Sequence, residues 1–227
     1  MATNEFSKSE AIKFGWNTMK ANFGFFIGIM VVFIVGIVGQ NIILGWVRGL
    51  IEKSLNEEML VIVRAVFWTV SVLLTLGLQM GLFKIAIKFV DSEKPKLSDL
   101  FSCFHLVFKL FFAEVIGGLI WVIGLILLII PGIIWMTRII FFRYLIVDKE
   151  VGPIEALKGS FRMTRGAAWN LFLLILLLLC INLLGLICLV IGLFVTIPIT
   201  VVSYAFVYRK LEKQLKTPEV PITPMQS

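Results

Sequence analysis

Charge is scarce in this 227-residue chain: Asp, Glu, Lys and Arg make up 15% of it, against about 25% in soluble domains. Histidine occurs once and cysteine three times. Hydrolytic or metal chemistry needs clustered His, Asp, Glu or Cys at ligand spacing, and no HExxH, CxxC or glycine-rich phosphate loop occurs. The sequence offers no catalytic set and no metal site, asks for no cofactor, and reads as a non-enzyme. The lone His105 has no evident partner except Cys103 and reads as a polar residue at headgroup level. Cys180 and Cys188 fall in an apolar stretch and Cys103 beside a basic one, so all three are expected as buried free thiols rather than a disulfide framework. What abounds is apolar: 59% of residues are hydrophobic and the mean hydropathy is +1.01. No water-soluble fold of this size buries that much apolar surface, so a bilayer must be part of the solvent. That excludes a cytosolic enzyme, a nucleic-acid binder and a secreted disulfide module.

Charge-free intervals locate the membrane. They run over 21–47, 65–83, 115–137 and 166–208, and a spanning helix needs about 20 apolar residues. The first two are single spans. The last holds two, with a turn between Asn182 and Gly192. The third is cut by Pro131-Gly132, a turn dipeptide, after which Ile133 to Val147 continues as a short fourth span. The expected fold is all-α and polytopic, with six transmembrane helices. Orientation follows from Lys and Arg: the N-terminus, 84–109, 138–165 and the tail hold 18 of the 21 basic residues. The whole net charge of +7 then lies on one face, which places both termini in the cytoplasm and the protein in the cell (inner) membrane. The first 20 residues carry five charges, and no cleavable signal is expected.

An internal repeat is legible. Glu10-Ala11-Ile12-Lys13, then Trp16 and Lys20, precede the first span; Glu155-Ala156-Leu157-Lys158, then Phe161 and Arg165, precede the fifth. In the second copy Glu155, Lys158, Arg162 and Arg165 step by 3, 4 and 3 opposite Ile154, Leu157 and Phe161, which is an amphipathic helix. In the first, Ile12, Trp16 and Met19 form the apolar face, Ser7 caps, and Pro153 opens the second copy's helix. A weaker copy runs from Asp99 to Lys109. The expectation is three parallel units of interfacial helix plus transmembrane hairpin, about 5–90, 96–150 and 152–211, in one membrane domain 1–211, with a disordered cytoplasmic tail 212–227. Lys13, Lys20, Lys109, Lys158, Arg162 and Arg165 would form a basic collar at the headgroups, steering the hairpins or gathering anionic lipid.

Pro131-Gly132-Ile133-Ile134, Arg138, Val147-Asp148-Lys149-Glu150 and Glu155-Ala156-Leu157-Lys158-Gly159-Ser160-Phe161, with the closing Pro198 and Tyr208-Arg209-Lys210-Leu211, resemble a superfamily of uncharacterised bacterial six-span membrane proteins. That superfamily includes the membrane domain fused to some glycerophosphodiester phosphodiesterases. The resemblance covers most of the chain from about residue 100 and implies a polytopic membrane location. The phosphodiesterase members carry a separate catalytic domain, for which no sequence remains here, so their activity is not implied.

Ionisable residues inside spans are costly and usually face the bundle interior or a wet cavity. Glu114 stands inside span three, and Arg138 and Arg143 inside span four. Helical rise measured from the Pro131 turn brings Glu114 and Arg143 within reach of each other. They make either a structural pair or, with Arg138 and Gln79, a polar path or headgroup pocket, since the planar guanidinium suits phosphate. Gly24/Gly28, Gly45/Gly49, Gly77/Gly81, Gly117 and Gly124 are expected at close helix crossings within this bundle or in a homo-oligomer. The leading functional expectation is binding or movement of anionic phospholipid headgroups, with membrane lipids as partners. The alternatives are a scaffold or accessory subunit bound to another membrane protein and, more weakly, a small-solute channel or transporter.

Overall fold

The computed structural model describes residues 6–52, 56–127, 129–187 and 192–216. All regular elements among them are helical. They are α1 (Lys8–Ala21), α2 (Phe23–Glu52), α3 (Glu57–Val90), two 3-10 turns (Leu97–Phe101 and Phe104–Leu106), α4 (Val107–Leu127), α5 (Ile129–Ile139), α6 (Phe142–Lys149), α7 (Pro153–Met163), α8 (Ala168–Ile187) and α9 (Leu193–Lys216). Five segments are long and apolar enough to cross a membrane: α2, α3, α4 with its preceding 3-10 turns, α8 and α9. In α2 and α3 only 11% and 6% of the apolar window is buried, and Trp46 and Trp68 are exposed. Such faces are stable only against lipid or a partner. This is the build of a multi-pass membrane protein.

The expected short fourth span is two helices. Pro131 and Gly132 lie inside α5 rather than at a turn. Proline is tolerated there because an N–H in the first helical turn has no intrahelical acceptor to lose. Gly132 instead serves a helix crossing: a Cβ on Gly124 of α4 would stand 2.9 Å from its Cα. The chain then breaks at Ile140-Phe141 before α6 begins. A broken helix inside an apolar bundle needs substitute partners, and α7 supplies them. The Ser160 hydroxyl donates to the carbonyl oxygen of Arg138 at 2.7 Å, Thr164 donates to the same oxygen at 3.2 Å, and the Phe141 N–H donates to Ser160 Oγ at 3.2 Å.

Accordingly α7 is seated on the bundle, burying Ala156, Leu157, Ser160 and Met163, while Ile154 is exposed and Glu155, Lys158, Arg162 and Arg165 face outward. The face of α1 also differs from expectation. Ala11, Gly15 and Met19 are buried, whereas Trp16 is 48% exposed. The reason is proximity: a Cβ on Gly15 would lie 2.7 Å from the Ile199 carbonyl oxygen of α9, so the small residues, not the large ones, meet the bundle. Phe14 stacks on Phe206 at 4.8 Å, and Lys210 pairs with Glu10 at 2.7 Å.

The middle copy of the expected repeat is not an amphipathic α-helix. Asp99 accepts the Lys96 N–H at 2.7 Å and the Lys88 ammonium at 2.8 Å, which winds 97–106 into 3-10 turns packed on α3. Gly81 permits this by letting the Leu100 backbone into contact, and Gly77 faces the Phe104 ring. Gly24, Gly28, Gly45 and Gly49 meet nothing within 4 Å of an added Cβ, so they close no crossing in this bundle. Cys180 is exposed rather than buried, while Cys103 is buried. The helix α9 runs through Pro198 and on to Lys216, burying Leu211 and Glu212, so 212–216 is not tail. Cys188, most of the turn before Gly192, and 217–227 lie outside the described residues.

Candidate functional site

Glu114 lies 13 residues before the end of α4, and Arg143 lies 14 after the start of α5. An antiparallel hairpin therefore brings them to one level, and the break after Ile139 turns Arg143 toward α4. The guanidinium grips the carboxylate with two hydrogen bonds, Nε to Oε1 and Nη2 to Oε2, the latter 2.9 Å long. Such a fork combines geometric specificity with strength. The side chains remain 38% and 27% exposed, so the pair is open on one side. Nη1 of Arg143 makes no hydrogen bond to the described residues.

That open side is a cavity of about 480 Å³ between α4, α5, α6 and α9. Gly117 and Gly118 flatten one wall, and Trp121, Met136, Ile139 and Phe142 make it apolar. The polar contributions come from α6 and α9. Tyr144 donates to the Val201 carbonyl oxygen at 2.9 Å. Thr200 accepts from Asn182 Nδ2 at 2.8 Å and donates to the Thr196 carbonyl oxygen at 2.9 Å. Tyr204 also lines the space, and its hydroxyl has no partner among the described residues. The site is amphipathic: an ion pair and a phenol hydroxyl beside an apolar trough. A second cavity of about 450 Å³, apolar throughout, lies on the other side of α5 against Trp169 and Phe172 of α8.

Two of the four expected path residues are elsewhere. Arg138 turns to α7, donating from Nη2 to the Phe161 carbonyl oxygen at 3.3 Å and lying over the Phe161 ring. Gln79 does not line the cavity; Phe83, one turn further along α3, does. Of the basic collar, Lys13, Lys20, Lys158 and Arg162 are exposed without an ionic partner among the described residues. Arg165 is exposed as well, and Lys109 donates to the Glu150 carbonyl oxygen. His105 does have a partner besides Cys103: its Nε2 lies 3.5 Å from the Glu150 carboxylate.

The strongest charge cluster was not foreseen. Arg209 of α9 bonds Asp91 at the end of α3, Asp148 of α6, and Glu212 one turn on in α9, at 2.6–2.9 Å. Tyr208 donates to Asp148 at 2.8 Å, and Lys149 bridges Asp148 and Glu212. Burial alone would raise the Asp148 pKa, but donors from Arg209, Lys149 and Tyr208 outweigh it and hold the carboxyl below its ordinary value. The hydrogen bond to Asp148 in turn raises Lys149. The partners are up to 118 positions apart, so no local pattern announces them. The motifs Val147–Glu150 and Tyr208–Leu211 contain Asp148, Lys149, Tyr208 and Arg209 without showing that they meet, and Asp91 and Asp148 each follow an apolar run, where an acid at a helix C-terminus opposes the macrodipole.

Residues 115–215 match a family described as "Protein of unknown function (DUF975)". The match includes Arg143, Tyr204, Ser160, Thr164, Asp148 and Arg209. It begins one residue after Glu114 and leaves out α1, α2, α3 and Asp91. No curated protein and no solved structure matches the chain.

Proposed function

We propose that this chain is a non-enzymatic membrane protein that binds phospholipid, or helps it move, with the headgroup at Arg143 and the apolar trough along α4 and α5 holding part of an acyl chain. One observation carries the reading: an Arg–Glu pair, one-third exposed, opens into an amphipathic cavity beside a helix too short to cross the bilayer. Charges facing bare hydrocarbon are costly, and a headgroup relieves that cost.

The same reading takes α5 and α6 together as a sixth crossing, with both termini cytoplasmic in the cell membrane and three parallel hairpin units. The Arg209 cluster supports it. It joins the C-terminal ends of α3 and α6 to the late turns of α9, which suits three hairpins returning to one side. The exposed Lys13, Lys20, Lys158 and Arg162 would collect anionic lipid around that side, each worth about 1 kcal/mol near a charged surface.

The test is native mass spectrometry of protein extracted in mild detergent, comparing wild type with Gly118→Leu. Gly118 lines the cavity, and a Cβ there meets nothing within 4 Å, so leucine adds bulk to the cavity wall without a backbone clash. Phospholipid retained by wild type and lost from Gly118→Leu supports the reading. A stoichiometric protein partner with no retained lipid supports the scaffold alternative instead.

A further inference from the structure

We infer that the cavity selects a zwitterionic headgroup bearing a primary ammonium, such as phosphoethanolamine on a diacylglycerol, over an anionic one. This rests on the lipid reading above and specifies its ligand. A bare arginine would favour net negative charge. Here Glu114 occupies two of the three guanidinium nitrogens, so the ionic end of the cavity is neutral overall while presenting both signs. What remains unfilled is complementary to a zwitterion. Arg143 Nη1 and the Tyr204 hydroxyl are free donors on the cavity wall, suited to phosphate oxygens. The partly exposed carboxylate of Glu114 retains lone pairs beyond the two that Arg143 engages, suited to an ammonium with N–H donors. Beyond them the Tyr144 and Thr200 hydroxyls are already hydrogen-bonded within the protein and the rest of the wall is glycine and hydrocarbon, which fits an acyl chain rather than a second polar group. Lys13, Lys20, Lys158 and Arg162 of the collar have no ionic partner among the described residues, so collar and cavity prefer different lipids: anionic at the collar, zwitterionic in the cavity.

The decisive comparison is lipid retention on full-length protein exchanged into detergent with equal amounts of the ethanolamine lipid and the glycerol-phosphate lipid of the same chains. Each is scored as the fraction displaced by Gly118→Leu, so that collar lipid is subtracted. Wild type is expected to retain the ethanolamine lipid about tenfold over the anionic one, the size of one charge-assisted contact. Glu114→Gln keeps the shape and one acceptor for Arg143 but leaves a net positive cavity, and should reverse the preference. Tyr204→Phe should weaken cavity retention of both lipids several-fold without changing their ratio. Equal retention in wild type, or a preference unmoved by Glu114→Gln, overturns the headgroup inference and leaves the lipid reading standing. No Gly118-sensitive lipid at all overturns both. Displacement by free phosphoethanolamine as effective as by its lyso-lipid overturns the lipid as occupant and upholds the zwitterion.

Discussion

Ser160 completes the helix that Arg138 leaves unfinished. Its hydroxyl takes up the Arg138 carbonyl oxygen at 2.7 Å and the Phe141 N–H at 3.2 Å, and Ser160 is fully buried. Ser160→Ala strands the Phe141 N–H, while Thr164 still serves the carbonyl. The expected loss is about 1–3 kcal/mol, the cost of an unsatisfied buried group, read as a lower unfolding midpoint in a denaturing-detergent titration. Thr164→Val, which removes the longer bond to Arg138 and two local bonds to the Ser160 and Phe161 carbonyl oxygens but strands no N–H, should cost less. Equal midpoints for Ser160→Ala and wild type would count against α7 as the support of the break.

Glycines of this chain fall into two classes that one substitution separates. Gly81→Ala drives a Cβ into the Leu100 backbone, which cannot move without unwinding the 3-10 turns, so loss of stability by more than about 1 kcal/mol is expected. Gly24→Ala and Gly28→Ala meet open space and should gain about 0.5–1 kcal/mol from helix propensity. Parallel denaturation of the three variants checks this. A loss at Gly24 or Gly28 would mean that this face packs against a second chain.

The Arg209 cluster should show graded sensitivity. Asp148 is 11% exposed and Asp91 33%. Asp148→Ala leaves both Arg209 and the Tyr208 hydroxyl short of a partner and should cost about 3–5 kcal/mol, the range for breaking a buried pair. Asp91→Ala should cost less than about 1–2 kcal/mol, because water reaches that site. A double-mutant cycle with Arg209→Lys measures the fork, since a lysine point charge cannot reproduce it.

Acid should weaken the same cluster. The folded Asp148 carboxyl titrates below its ordinary value, so its contribution is fully present above the ordinary carboxylate range. It disappears as the pH falls through the lower, folded value. Unfolding midpoints measured from pH 7 downward should hold steady on this account to about pH 4 and then drop. Asp148→Asn should flatten the drop while lowering the plateau.

Topology offers a last check. With α5 and α6 forming one crossing, single cysteines placed at Lys94, Gly152 and Lys213 in a cysteine-free background should all react with an impermeant thiol reagent from one side only. A cysteine at Glu52, the last residue of α2, should react from the other. Labelling of Lys94 and Lys213 from opposite sides would leave five crossings.

The pairing of Glu114 with Arg143 was legible because helical rise is fixed: two residues at like distance from a hairpin turn must come level, even with the turn assigned a few residues late. The apolar spans were legible for the same kind of reason, since bilayer thickness fixes their length. The break after Ile139 was not, because its cause lies in hydroxyls about twenty residues downstream. Arg138 read as part of a polar path with Glu114, Arg143 and Gln79; in the structure its guanidinium lies on Phe161. The face of α1 misled in another way. Amphipathicity groups Ile12, Trp16 and Met19 on one apolar face but does not tell lipid from protein; close approach seats Ala11, Gly15 and Met19 on the bundle and leaves the indole outside.

The contact of Gly15 with α9 has a bearing on how the chain is made. The helix α1 leaves the ribosome long before its seat, at Ile199, Ser203, Phe206 and Lys210, has been synthesised. Until then α1 has lipid headgroups as its available resting place, and its Trp16 and lysines suit it to wait there. The docking of α1 thus waits on α9, and a polypeptide stalled before residue 199 would expose an unseated α1 to quality-control proteases.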